Sequence, residues 1–139
     1  MLKSPALVEQ NYTKLKSAIF ITFPGNCKKA LTFYQACFGG KLQFEIFENK
    51  FRGFTEMLVI SGSLVSDRII IHGSDLVHNE GRKLGNYMSV FLHCKSIKDR
   101  KVLIEKLEAG KKNLLMKHPD EQKLVELTDA FDVRWILSI

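Results

Sequence analysis

The feature that most limits how this chain can fold is a pattern that occurs twice. Residues 18–48 read AIFITFPGNCKKALTFYQACFGGKLQFEIFE, and residues 88–118 read MSVFLHCKSIKDRKVLIEKLEAGKKNLLMKH. The second follows the plan of the first without a gap, at an offset of 70 (88 − 18). Each opens with a short apolar run, the mark of a buried strand. Asn26 and Ser96 then stand where a helix N-cap belongs. Ala30, Leu31, Phe33, Tyr34, Cys37 and Phe38 follow at the spacing of a buried helical stripe, and Ile104 and Leu107 take the places of Tyr34 and Cys37. Gly39-Gly40 and then Gly110 stop the helices, since glycine accepts the left-handed backbone that a C-terminal cap requires. After the first stop, KLQFEIFE alternates polar and apolar residues as a half-buried strand does. Identity between the copies is low, so the repeat is one of structural plan.

More strand-like sequence follows each copy. GFTEMLVIS and DRIIIHG come after the first, with a hairpin expected through Gly62 and Ser63; QKLVELTD and VRWILSI come after the second, with a turn at residues 130–132. Strand, helix, then three strands, performed twice, predicts an α+β fold of two βαβββ modules, about residues 16–75 and 86–139, each sheet covered on one face by a helix. A length of 139 residues suits one domain, spanning 16–139, preceded by an arm over 1–15.

Composition matters mainly for what it excludes. No apolar run approaches the ~18 residues that cross a bilayer, so no membrane partner is expected. The first residues lack the long apolar stretch of a secretory leader, and a cytoplasmic location is expected. Cys27, Cys37 and Cys94 are odd in number and form no CxxC pattern; they read as reduced thiols. The net charge of +6 invites a nucleic-acid reading. In KSIKDRKVLIEKLEAGKK, however, bases and acids are interspersed like the wet face of an amphipathic helix, and no nucleic-acid partner is expected.

FPGNCKKALTFYQACFGGKLQFEIFE resembles the opening of PhnB-like members of the glyoxalase and bleomycin-resistance (vicinal oxygen chelate) superfamily. His72-Gly73-Ser74-Asp75 resembles their GSD-type segment, and LTDAFDVRW resembles their last strand, with Ala130 in place of proline and Asp132 in place of glycine. The resemblance implies a paired βαβββ fold, a homodimer and, in catalytic relatives, a divalent metal held by His, Gln or Glu from the first and fourth strands of each module. Carried over in register, the first-strand positions are Ile19 and Ser89, the last-strand position is Ile136, and the remaining one lies near His72. Isoleucine cannot ligate a metal and serine is a poor ligand for zinc, nickel or iron, so neither a metal nor another cofactor is expected.

Strand parity assigns Phe20, Val90 and Trp135 to the layer beneath the helices. Ile19, Ile21, Ser89, Phe91 and Ile136 would then line the concave side, an apolar surface for a small-molecule ligand, with Glu56 and His72 as its polar members. His72 could act as acid, base or orienting group, or be a strand-end histidine bonded to backbone. Glu56 could be a buried carboxylate or simply face solvent. His93 and Cys94, being adjacent on a strand, point to opposite faces and cannot pair; His78 and His118 belong to surface loops. Three functions compete: metal-independent binding of a small organic ligand, a metal-dependent glyoxalase- or dioxygenase-type enzyme with an atypical site around His72 and Glu56, and a dimeric interaction module.

Overall fold

The computed structural model describes residues 17–48, 57–75, 82–111 and 118–139. They group into two units, one reaching to Arg82 and the other beginning at Lys83. The first contains β1 (Ile19–Thr22), α1 (Cys27–Phe38), β2 (Lys41–Ile46), β3 (Val59–Val65) and β4 (Ile70–Ser74). The second contains β5 (Val90–His93), α2 (Ile97–Glu108), β6 (Leu124–Thr128) and β7 (Arg134–Ser138). The fold is α+β, with the two-module plan that the sequence repeat predicts.

The sheets share one topology. In the first the strand order is β1-β4-β3-β2, with β1 parallel to β4 and antiparallel pairing elsewhere. The second runs β5-β7-β6, with β5 parallel to β7 and β6 antiparallel to it. The strand expected after α2 would occupy residues 112–117, outside the described residues, as do the arm over 1–15, Glu56 and His78.

The helical part of the repeat holds to the residue. Both helices have twelve residues, and Ile97 follows Cys27 by 70 (97 − 27). The stop glycines keep that offset, Gly40 at φ +99° and Gly110 at φ +90°. α1 buries Ala30, Leu31, Tyr34 and Cys37; α2 buries Arg100, Leu103, Ile104 and Leu107, of which Arg100, Ile104 and Leu107 stand 70 residues after Ala30, Tyr34 and Cys37. Fully burying side chains of this size stabilises by roughly 1.5–3 kcal/mol each.

The caps differ. Ser96 caps α2 as expected, its hydroxyl accepting from the Asp99 amide at 3.0 Å while the Asp99 carboxylate accepts from the Lys95 amide. Asn26 occupies the N-cap position of α1 but makes no side-chain cap bond. Asp75, 48 residues away in sequence, accepts from the Cys27 amide instead.

The hairpin expected at Gly62-Ser63 lies elsewhere. β3 runs straight through both residues, and the chain turns after Val65, where the Ser66 amide donates to the Ile69 carbonyl at 3.1 Å. Gly62 serves packing: a Cβ there would come within 2.9 Å of Leu31 Cδ1 and 3.0 Å of the Phe44 ring. The turn between β6 and β7 falls where the sequence places it. Asp132 takes φ +68°, a conformation aspartate tolerates better than most residues.

Candidate functional site

In the first unit the two faces of the sheet are separated by register. Ile21 pairs with Gly73, Gly73 with Gly62, and Gly62 with Phe44. This row faces α1, because a Cβ on Gly73 would meet the Phe23 ring and Cys27 Sγ, and one on Gly62 would meet Leu31. The neighbouring row is Phe20, His72, Ser63 and Gln43, and it points the other way. Phe20 is 65% exposed and His72 is half-buried, while Ser63 is buried.

This reverses the expected parity of β1. Ile19 and Ile21 belong to the layer under α1, and Phe20, assigned to that layer from the sequence, stands on the opposite face. His72 does lie on that opposite face, beside Phe20.

In the second unit the expected parity holds. Phe91, Ile136 and Glu126 form one row, with Phe91 59% exposed. The alternate rows, Val90-Trp135-Leu127 and Leu92-Leu137-Val125, carry the buried side chains, Trp135 and Leu137 fully so. Ser89 precedes β5 and is half-buried. His93 and Cys94 diverge as expected: Cys94 is buried, and His93 Nδ1 lies 2.9 Å from Ser138 Oγ. His118, expected at the surface, is mostly covered, with Nε2 3.4 Å from Glu108 Oε1.

The reversal has a single cause. Four residues, 23–26, join β1 to α1, but three, 94–96, join β5 to α2. The helices repeat at 70, while the strands before them repeat at 71: the Phe23 amide donates to the Ser74 carbonyl just as the Cys94 amide donates to the Ser138 carbonyl. Ile19 is therefore equivalent to Val90, not to Ser89, and Phe20 is equivalent to Phe91. One residue of slip exchanges the faces of a strand.

With that register, Phe20 pairs with His72 in the first sheet, and Phe91 pairs with Ile136 at the equivalent place in the second. Phenylalanine and isoleucine offer no donor atom, so of the four only His72 could bind a metal. Among the described residues, no group of three or more His, Cys, Asp or Glu side chains is placed to hold a metal ion.

Burial pushes the His72 pKa below its ordinary value, because desolvation disfavours the imidazolium. The ring is therefore mainly neutral at pH 7, with one donor and one acceptor nitrogen. Cys27 is a poor nucleophile: burial, and secondarily the nearby Asp75 carboxylate, push its thiol up to about 12.

Two buried aspartates position these surfaces, and sequence reading did not single out either role. Asp75 accepts from the amides of Gly25 at 3.1 Å, Cys27 at 2.9 Å and Val59 at 2.9 Å, tying β3 and the start of α1 to the end of β4. Asp129 accepts from the amides of Phe131 and Val133 and from Trp135 Nε1 at 2.8 Å, closing the turn before β7. The sequence signals were present in the GSD and TD segments, but a spacing of 48 residues between donor and acceptor is invisible without the fold. Buried Arg100 has a comparable role, donating to the carbonyls of Asp120, Gln122 and Lys123.

Among the described residues, a βαβββ unit is followed by a unit with the order β5-α2-β6-β7, and in each the first strand runs parallel to the last. Solved structures match this arrangement. Protein PA1353 from Pseudomonas aeruginosa aligns with a TM-score of 0.69 and 22% identity, over 88% of this chain and 96% of that one. A PhnB protein from Bacillus cereus aligns with a TM-score of 0.64 and 24% identity, over 88% and 98%. The chain thus shares the fold of these two proteins. No family model matches the sequence, and no curated protein matches it.

Proposed function

We propose that the chain binds a small apolar or aromatic organic molecule without help from a metal, using the sheet faces that carry Phe20 and Phe91. The observation that supports this most is the equivalence of those rings within their own sheets. They occupy equivalent positions in the two units and are 65% and 59% exposed, although burying a phenylalanine is worth roughly 1.5–3 kcal/mol. Matching exposed aromatics at one topological position suit a surface that is covered when a ligand binds. The donor-poor set Phe20, His72, Phe91 and Ile136 supports a metal-independent mode.

The test is a thermal-shift and calorimetric screen of aromatic metabolites and antibiotics, with divalent metal present and absent. Binding that is unaffected by chelator and weakened by Phe20→Ala or Phe91→Ala supports the reading. Binding that requires a metal, or no binding across the panel, rejects it.

A second reading, an interface between two copies of the chain, is favoured by the exposure of Leu124 and Ile139 in addition to Phe91. Sedimentation over a range of concentrations separates the two. A dimer that Phe91→Ala dissociates assigns that face to self-association, and a monomer throughout removes this reading.

A further inference from the structure

The face of the second sheet that carries Phe91 also brings a hydroxyl and an imidazole into contact. His93 on β5 stands opposite Ser138 on β7, with Nδ1 2.9 Å from Oγ. The backbone holds the pair in register, since the Cys94 amide donates to the Ser138 carbonyl at 2.8 Å. His93 is exposed, and among the described residues its ring has no other hydrogen-bond partner. Phe91 and Ile136 stand on the same face two residues earlier, about 6.6 Å along the strands. Leu124, 57% exposed, stands opposite Ser138 on its other side. Ser138 is sheltered among these larger neighbours at 7% exposure, and Leu124, as a surface side chain, changes rotamer in nanoseconds or less. The first unit has a serine at the equivalent place but no base: Ser74 stands opposite Thr22, and its hydroxyl lies 3.5 Å from the Val59 carbonyl.

We infer that Ser138 is a nucleophile with His93 as its general base, and that the pair accepts acyl groups from aryl esters. A serine and a base within hydrogen-bond reach form the core of a nucleophilic site. With the ring proton on Nε2, the Ser138 hydroxyl donates to Nδ1. Oγ then bonds to the ester carbonyl carbon as its proton passes to Nδ1. The bond from that carbon to the aryloxy oxygen breaks, and the phenol leaves with the proton. Water, giving a proton to Nδ1, next takes the place of Oγ at the carbonyl carbon; Oγ regains the proton, and a carboxylic acid is released. Phe91 and Leu124 beside the pair suit an aryl ester, whose ring gains by packing on exposed apolar side chains. Among the described residues no carboxylate bonds Nε2, so the pair lacks the orienting member of a triad and turns over more slowly.

The experiment follows release of 4-nitrophenol from 4-nitrophenyl acetate by the full chain, in wild type, Ser138→Ala and His93→Gln, with melting temperatures measured alongside. Wild type is expected to release it faster than buffer alone. Ser138→Ala is expected to abolish that excess, and His93→Gln, which keeps a hydrogen-bonding side chain but no base, to lower it by about a hundredfold or more. A purely structural pair would lower the melting temperatures and leave wild type at the buffer rate, which overturns the inference. An excess retained in folded Ser138→Ala or His93→Gln overturns it as well. Should Ser138→Ala fail to fold, a fluorophosphonate adduct on wild type, mapped by mass spectrometry, decides instead: attachment within residues 135–139 supports the nucleophile, and attachment elsewhere or nowhere overturns it. The inference goes beyond the binding reading and fails separately from it. A chain that binds aromatic molecules without cleaving the ester loses this inference and keeps that reading.

Discussion

Phe20 and His72 stand in register on the adjacent parallel strands β1 and β4, on the sheet face that α1 does not cover. Phe23, three residues further on, is fully buried against Gly73 on the other face. Two phenylalanines so close in sequence therefore have opposite consequences. Phe20→Ala should change unfolding free energy by no more than about 0.5 kcal/mol, as exposed sites do, and Phe23→Ala should cost about 3–5 kcal/mol. Urea titrations of both variants check this; comparable losses would contradict the assigned register.

Asp75 supports the first unit by satisfying three backbone amides from two segments. Asp75→Ala leaves buried donors at Cys27 and Val59 without a partner and should destabilise by about 3 kcal/mol or more. Asp75→Asn keeps one acceptor oxygen and should fall between wild type and alanine. Equal stability of Asp75→Ala and wild type in chemical denaturation would remove the aspartate from this role.

His72 sets a pH dependence whose sign follows from its lowered pKa. The folded state binds this proton less readily than the unfolded chain, so the unfolded state holds more protons as pH drops through about 6.5. Stability from this group is complete above the unfolded value and declines as pH falls below it. A His72→Gln variant should show a shallower loss of melting temperature between pH 7 and pH 5 than wild type. Parallel curves for the two proteins would count against the shift.

Cys27 behaves in the opposite sense. Its thiol is pushed up to about 12 from an ordinary 9.0, so the folded state retains a proton that the unfolded chain releases above pH 9. Stability from this group is present below about 9 and lost as pH rises toward 12. In the folded protein at pH 8, iodoacetamide should modify Cys27 far more slowly than after denaturation. Mass spectrometry of the alkylated peptides measures this, and equal rates would exclude the buried, protonated thiol.

Gly62 tests the correction to the hairpin. A turn glycine with space around it would accept alanine at small cost, but the Cβ of Gly62→Ala would press on Leu31 and Phe44. Overpacking of this kind costs typically ~1–3 kcal/mol. A thermal denaturation midpoint unchanged from wild type would show that α1 does not pack against that point of β3.

Much of the architecture was legible because it depends on local periodicity. The stripes of α1 and α2, their equal length, the stop glycines and the Ser96 cap are written within single turns of chain. The β6–β7 turn was legible for the same reason, with Asp132 taking the left-handed backbone there. Asn26 misled because side-chain capping is a local expectation, and a carboxylate from β4 satisfies the helix start instead. Gly62 misled because glycine marks both turns and close approaches, and only the position of Leu31 tells them apart.

The candidate site was legible in part: His72, Phe91 and Ile136 stand on the faces assigned to them, and Ile19, Ile21 and Phe20 do not. Alternating residues fix that a strand has two chemically different sides, and the amino-acid sequence alone establishes that much, along with the paired modules. Which side faces the helix depends on how many residues the chain spends between strand and helix. That number is four in one unit and three in the other, and composition and periodicity do not register the difference. The tertiary structure decides it, because hydrogen-bond pairing with the neighbouring strand sets the register, and a slip of one residue turns every side chain over.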